Sequence, residues 1–389
     1  MFKRIVAMLA MLVLLAGCST VKGWFSGKEK DGEKPTKPAE LVEFTSTANV
    51  TRIWAVSVGK GEGKTGVRQV PTVVDGRVYA ASVEGGVSAL DLQSGQRQWH
   101  YKSDLRLSGG PGAGDGLVVA GTLDGEVIAL DAATGTEKWR ANVPNEVISA
   151  PAVGQGLVLV RSNDGRVTAF DASTGERRWF WTNDMPSLTV RGNAPLTLGP
   201  GVVFVGNDDG TVSALLLNDG REVWQQAVGI PEGRTELQRM SDVDGAPVLD
   251  GSNLYATSFQ RETVALEGPS GRPLWTRDNG GAGGVGVSSG RVLVTDPDGT
   301  VWGLDKFSGN AMWSNPQLAR RLVTAPAVHG DYAAVGDYDG YVHWLKLDDG
   351  QFAARAKTGG KALKGQPVEA DGILIVQNVD GELTAFRVQ

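Results

Sequence analysis

The sequence predicts an all-β fold: an eight-bladed β-propeller of four-stranded antiparallel blades, its ring closed by the N-terminal strand. Three observations lead there. The chain repeats itself with a period of about 40 to 50 residues, the mark of a stacked or radial array. Glycine-bearing turn signals recur at fixed places in each copy. The last copy lacks its final tryptophan strand, and an unpaired tryptophan strand stands before the first.

The repeat is plainest from Asp124 to Trp139, which returns one period later from Asp164 to Trp179 with Gly165, Val167, Ala169, Asp171, Thr174 and Gly175 in register. Aligned on one apolar position, the copies give eight anchors: Leu90, Leu130, Phe170, Leu215, Leu266, Leu304, Leu345 and Phe386. In the third copy Gly156 precedes Leu-Val-Leu-Val, and Asn163-Asp164-Gly165 turns the chain into Arg-Val-Thr-Ala-Phe. Ser173-Thr174-Gly175 then leads to Trp179. Short apolar runs broken by Asp-Gly and Thr-Gly are hairpin signals, not helix signals. A further glycine opens each copy (Gly76, Gly116, Gly156, Gly201, Gly251, Gly290, Gly330 and Gly372), where a first turn commonly needs φ > 0. Three turns give four strands, one propeller blade.

The eighth copy stops at Gln389, just after its third strand, while Trp54 sits in an unpaired run from Thr51 to Val56. The N-terminal strand is therefore expected to complete the last blade, leaving only short blade edges exposed.

The recurring tryptophans are Trp99, Trp139, Trp179, Trp224, Trp275 and Trp313, with Trp54 serving the last blade. A large amphipathic ring at a fixed point can fill the wedge between blades while its indole N–H finds a backbone carbonyl. The seventh copy departs, with Ala354 where the ring is expected.

At the N-terminus, residues 1–17 read as a lipoprotein signal peptide. Lys3 and Arg4 precede an apolar run from Ile5 to Ala16 that is short for a bilayer span. The run ends in Leu15-Ala16-Gly17-Cys18, which resembles the lipobox of bacterial lipoproteins, and Cys18 is the only cysteine, so no intrachain disulfide can form. The resemblance implies acylation of Cys18, and Ser19 after it implies export to the outer membrane. Residues 18–40, rich in Gly, Lys, Glu and Pro, read as a flexible tether reaching roughly 25 Å on average. Within it Trp24 and Phe25 suit a lipid interface as well as chance exposure. Residues 41–389 form the propeller. Fifty-four glycines suit its many turns, and a net charge of −6 without a basic stripe argues against nucleic acid.

Catalytic patterns fail on context. Gly286-Val287-Ser288-Ser289-Gly290 matches a nucleophile elbow, but a strand rather than a helix follows. The stretch from Gly59 to Thr65 resembles a phosphate-binding loop, one residue too short and with no helix pattern after it. His100, His329 and His343 share no ligand spacing, so surface or groove positions are expected. The segment from Ala129 to Trp139 looks like the docking motif of quinoprotein (PQQ-dependent) dehydrogenase propellers. Those chains look much longer and keep a Ca²⁺ site, and no Ca²⁺-loop spacing is present here. The motif therefore reads as architecture without cofactor or metal, and no catalytic residue is assigned. A quinoprotein-like periplasmic oxidoreductase or sensor is the alternative reading.

Two inserts break the rhythm. One follows Trp179 and runs through Ser187-Leu188-Thr189-Val190-Arg191-Gly192. The longer follows Trp224 and contains Thr235 to Asp244. They occupy the same place in successive repeats, so both are expected on one face, where repeat proteins bind partners. With the lipobox and the eight repeats, these inserts resemble the BamB family of the outer-membrane β-barrel assembly machinery, over essentially the whole chain. The resemblance implies a non-catalytic lipoprotein on the periplasmic face of the outer membrane. Such a protein binds the POTRA domains of the barrel protein BamA and aids delivery or folding of nascent outer-membrane proteins. It also implies that Leu188, Val190, Arg191, Asp242 and Asp244 lie at the partner-binding face. Leu188 and Val190 would give apolar contact and Arg191 a planar multi-donor group. The acids would either contact the partner or shape the loops by pairing with Arg191 or Arg239. Blade edges offer a second surface, for β-augmentation by an extended substrate.

Overall fold

The computed structural model describes residues 37–389 except 64, 191 and 193. The expected signal peptide, Cys18, Trp24, Phe25 and nearly all of the tether lie outside the described residues, as does Arg191.

Eight separate four-stranded antiparallel sheets follow one another along the chain. Blades 1 to 7 comprise residues 72–101, 107–142, 152–182, 197–227, 248–277, 285–315 and 327–357. Blade 8 takes three strands from residues 368–388, and the strand Val50–Ser57 completes it as the outer strand, pairing Val50 with Val388 through to Ser57 with Glu382. The ring closes as the sequence predicts.

Turn chemistry fixes the hairpins. Asp75-Gly76 and Asp115-Gly116 both hold φ near +50° and +70°, the two left-handed residues of a type I′ turn matched to strand twist. Gly290 differs: its backbone is not left-handed, and the turn is held instead by Ser288, whose N–H donates to the Arg291 carbonyl. That places Ser288 in a hairpin and disposes of the nucleophile elbow. In the turn before the outer strand of blades 1, 2, 3 and 6 an aspartate accepts from its own neighbours, as Asp131 does from the Ala133 and Thr134 amides and the Thr134 hydroxyl. These hydrogen bonds hold the Asp131 carboxyl below the usual carboxylate range, the Thr134 hydroxyl foremost. The acid of the quinoprotein-like motif is thus a turn device.

Apolar layers lie between blades, and all eight anchors are buried. One such layer joins Val119, Val127 and Trp139 of blade 2 to Val158, Val160 and Phe170 of blade 3. Each of the recurring tryptophans named above reaches across to the next blade. Trp139 donates to the Ala172 carbonyl at 2.9 Å, and its ring lies against Gly175, where an added Cβ would come within 2.7 Å of it. The other six bridging indoles do the same, from Trp54 to Leu92 O through to Trp313 to Leu347 O. The wedge and carbonyl roles expected of these rings are both present.

Candidate partner-binding face

In a blade whose strands alternate in direction, the link from the outer strand to the next blade and the turn between strands two and three share one face. Both inserts are such links. The first joins the strands Arg177–Thr182 and Thr197–Gly199, and the second joins Glu222–Ala227 and Val248–Asp250. They lie between blades 3 and 4 and between blades 4 and 5, side by side on the same face.

The second insert has a solvent-facing tip and a buried foot. In the tip, a short 3-10 turn, Leu237–Arg239, contains no buried residue. The Gln238 side chain accepts from the Arg234 amide, and the Arg239 guanidinium pairs with Glu236. That local order turns Leu237 outward at 66% exposure. In the foot, Met240, Ser241, Asp242, Val243 and Asp244 are all buried. The Val243 amide donates to Asn207 O, and the Asp242 carbonyl accepts from Phe259 N–H, fastening the foot to blades 4 and 5.

The first insert rests on this foot. The Val190 amide donates to Asp242 Oδ1 at 2.8 Å. Asp244 packs its carboxylate against Gly192, where any Cβ would sit 2.9 Å from it. The Ser187 hydroxyl reaches Glu236 Oε2 at 2.7 Å and ties the two tips together. Beside that tie Leu188 is exposed, Val190 is half-buried, and Met185 and Ile230 also face solvent.

Asp242 and Asp244 therefore stand apart from Leu188. Both acids are buried, and Arg239 is engaged by Glu236 rather than by either of them. They gather with Asp208 so that one oxygen of each lies within 4.8 Å of the others. Asp208 pairs at 2.9 Å with Arg161, and that pair is buried too. Burial pushes Asp242 up to about 6. It pushes Asp244 up to about 7, with the Asp242 charge adding to the rise. Among the described residues, Asp242 Oδ2 and both Asp244 carboxylate oxygens have no hydrogen-bond partner. These three aspartates are the described group with metal-ligand proximity, and Arg161 already compensates part of their charge. Sequence spacing missed Asp208 because it comes from the turn between strands two and three of blade 4. The signal was available in Asn207-Asp208-Asp209-Gly210, one acid more than Asn163-Asp164-Gly165 carries.

The histidines correct a sequence expectation. His100 is exposed, but His329 and His343 are fully buried. His343 lies between Asp337 at 3.0 Å and Arg355 at 3.1 Å, and His329 bridges Trp344 and the Gly372 carbonyl.

Residues 36–107 and 84–315 match the profile of a family described as outer membrane protein assembly factor BamB. A protein of that name from Xanthomonas campestris is 65% identical over 398 residues, covering 100% of this chain and 98% of its own. The Pseudomonas aeruginosa protein of the same name is 42% identical, with 98% of both chains covered. The chain belongs to the BamB family. The crystal structure of BamB from Moraxella catarrhalis superposes with a TM-score of 0.80 at 28% identity, over 87% of this chain and 100% of that one. A quinohemoprotein alcohol dehydrogenase from Comamonas testosteroni gives 0.67 at 17% identity over 87% of this chain and 76% of its own, a likeness of fold alone. BamB membership accounts for the quinoprotein-like repeats as shared propeller architecture.

Proposed function

We propose that this protein is a non-catalytic accessory factor of outer-membrane β-barrel assembly. In this reading acylated Cys18 holds it at the periplasmic face of the outer membrane. The face carrying the two inserts docks the POTRA domains of a BamA-like barrel protein, aiding delivery, folding and insertion of outer-membrane proteins. The observation that carries the reading is the pair of inserts, tied by Ser187 and Glu236, which present Leu188 and Leu237 to solvent above a buried acidic foot. Exposed apolar side chains on preordered loops are what an interface core needs, because little entropy is lost on docking. Val190 extends the same surface, Asp242 and Asp244 support it from below, and Arg191, outside the described residues, is carried in this reading as a further contact. Membership of a family named for outer-membrane protein assembly points the same way.

The test is binding of the full-length, detergent-solubilised protein to immobilised POTRA domains from the same organism, wild type beside Leu188→Asp. Binding by the wild type and its loss in a folded variant supports the reading. A quinone absorbance band with dye-linked activity after adding PQQ and Ca²⁺ would overturn it.

A further inference from the structure

Seven of the eight joints between blades are bridged by an outer-strand indole. The joint from blade 7 to blade 8 is built differently. In the other blades a small residue on the third strand stands opposite the tryptophan, as Ala129 opposes Trp139 and Ala385 opposes Trp54. In blade 7 the pair is inverted: Trp344 is on the third strand and Ala354 on the outer one. The reason lies in the ring closure. An outer indole docks on the glycine turn leading into the next blade's outer strand. Blade 8 has no such turn, because its outer strand is Val50–Ser57, which enters from a distant part of the chain. The ring has withdrawn one strand inward, where Trp344 is fully buried, meets Phe386 edge-on at 5.4 Å and donates to His329.

That withdrawal leaves the outer part of the joint to be covered by residues 46–49, while Leu41, Val42 and Phe44 just before them pack on the layer between blades 6 and 7. The Thr47 and Ala48 amides donate to Ala353 O, and Ala48 is buried in one cluster with Ala353, Ala354 and Phe386. Phe44 stacks on Phe352 at 5.4 Å, with the Arg355 guanidinium 5.0 Å from the Phe44 ring. Two buried or half-buried arginines hold the backbone, Arg355 donating to Val42 O and Arg321 to Ala39 O. Asp337 orients Arg321 directly and Arg355 through His343.

We infer that residues 46–49, held by Ser46, Thr47 and Ala48 on Ala353 O, are a latch that replaces the missing tryptophan dock. Its release opens the blade 7–8 joint while the other seven joints stay closed. The remaining blades carry their own bridges, so opening is local to this seam.

The test is hydrogen–deuterium exchange on the full-length protein, comparing wild type with Ala48→Asp, with Thr47→Pro, and with Trp139→Ala. In either latch variant, strands Phe352–Lys357 and Glu382–Val388 should exchange at least about tenfold faster, with residues 107–227 within about twofold of wild type. In Trp139→Ala the fast region should move to blades 2 and 3. Exchange within about twofold of wild type in blades 7 and 8, or equal acceleration in all blades, overturns the inference.

Discussion

The tip and the foot of the second insert are adjacent in sequence and opposite in physics. Residues 230–239 expose Ile230 and Leu237, while the next five residues, 240–244, are all buried. The first insert repeats the contrast over a shorter span, with Leu188 exposed and the Val190 amide bound down to Asp242. The lesson concerns how one set of site residues divides. Leu188 can touch a partner without moving anything. Asp242 and Asp244 are buried beneath the loops, so under the proposed function their substitution tests support rather than contact.

The largest effect should come from the tips. Leu188→Asp with Leu237→Asp places two charges at the proposed interface and should weaken POTRA binding by about a hundredfold or more. Thermal unfolding should shift little, because both side chains are exposed. A loss of stability matching the loss of binding would erase the distinction between tip and foot.

Asp242 comes next, and two substitutions separate its roles. Asp242→Ala removes the acceptor of the Val190 amide and should cost about tenfold in binding through loop disorder. Asp242→Asn keeps a carbonyl acceptor in place and should retain binding within about threefold. A charge-dependent contact with the partner would instead make the two variants equally defective.

Asp244 sharpens the comparison through pH. Its folded-state value is raised to about 7 from an ordinary 3.8, chiefly by burial. Between those values the folded protein keeps a proton that the unfolded chain has released. This contribution is therefore fully present below pH about 4 and is lost as pH rises through 7. Asp244→Asn should remove it, raising stability at pH 8 by about 2 kcal/mol and flattening the decline between pH 5 and 8 in urea titrations. The smallest effect belongs to the tie between the tips. Ser187→Ala should reduce binding by less than about fivefold, since one exposed hydrogen bond contributes about 1 kcal/mol or less.

The architecture was legible because its determinants are local and repeated. Gly76, Asp131, Gly175 and Trp139 each act through neighbours one turn or one blade away, and eight copies make the pattern visible. The interruptions at residues 183–196 and 228–247 were legible for the same reason. Burial within them was not, because it depends on which turn of blade 4 lies beneath. Asp242 and Asp208 are far apart in sequence, and only the ring brings them together. Ala354 was visible as a departure from rhythm, but its cause was not. Trp344 compensates for it across a strand pair, and the cover comes from Ala48, some three hundred residues upstream.

The central claim, that the two inserts form the docking face, is tested most directly by one titration. Full-length wild-type protein and the Leu188→Asp/Leu237→Asp variant would each be titrated against POTRA domains of the same organism's barrel protein, with circular dichroism confirming the variant's fold. Saturable wild-type binding that is abolished in the folded variant is the predicted result. Equal affinity of the two proteins would contradict the account and move the partner site off this face.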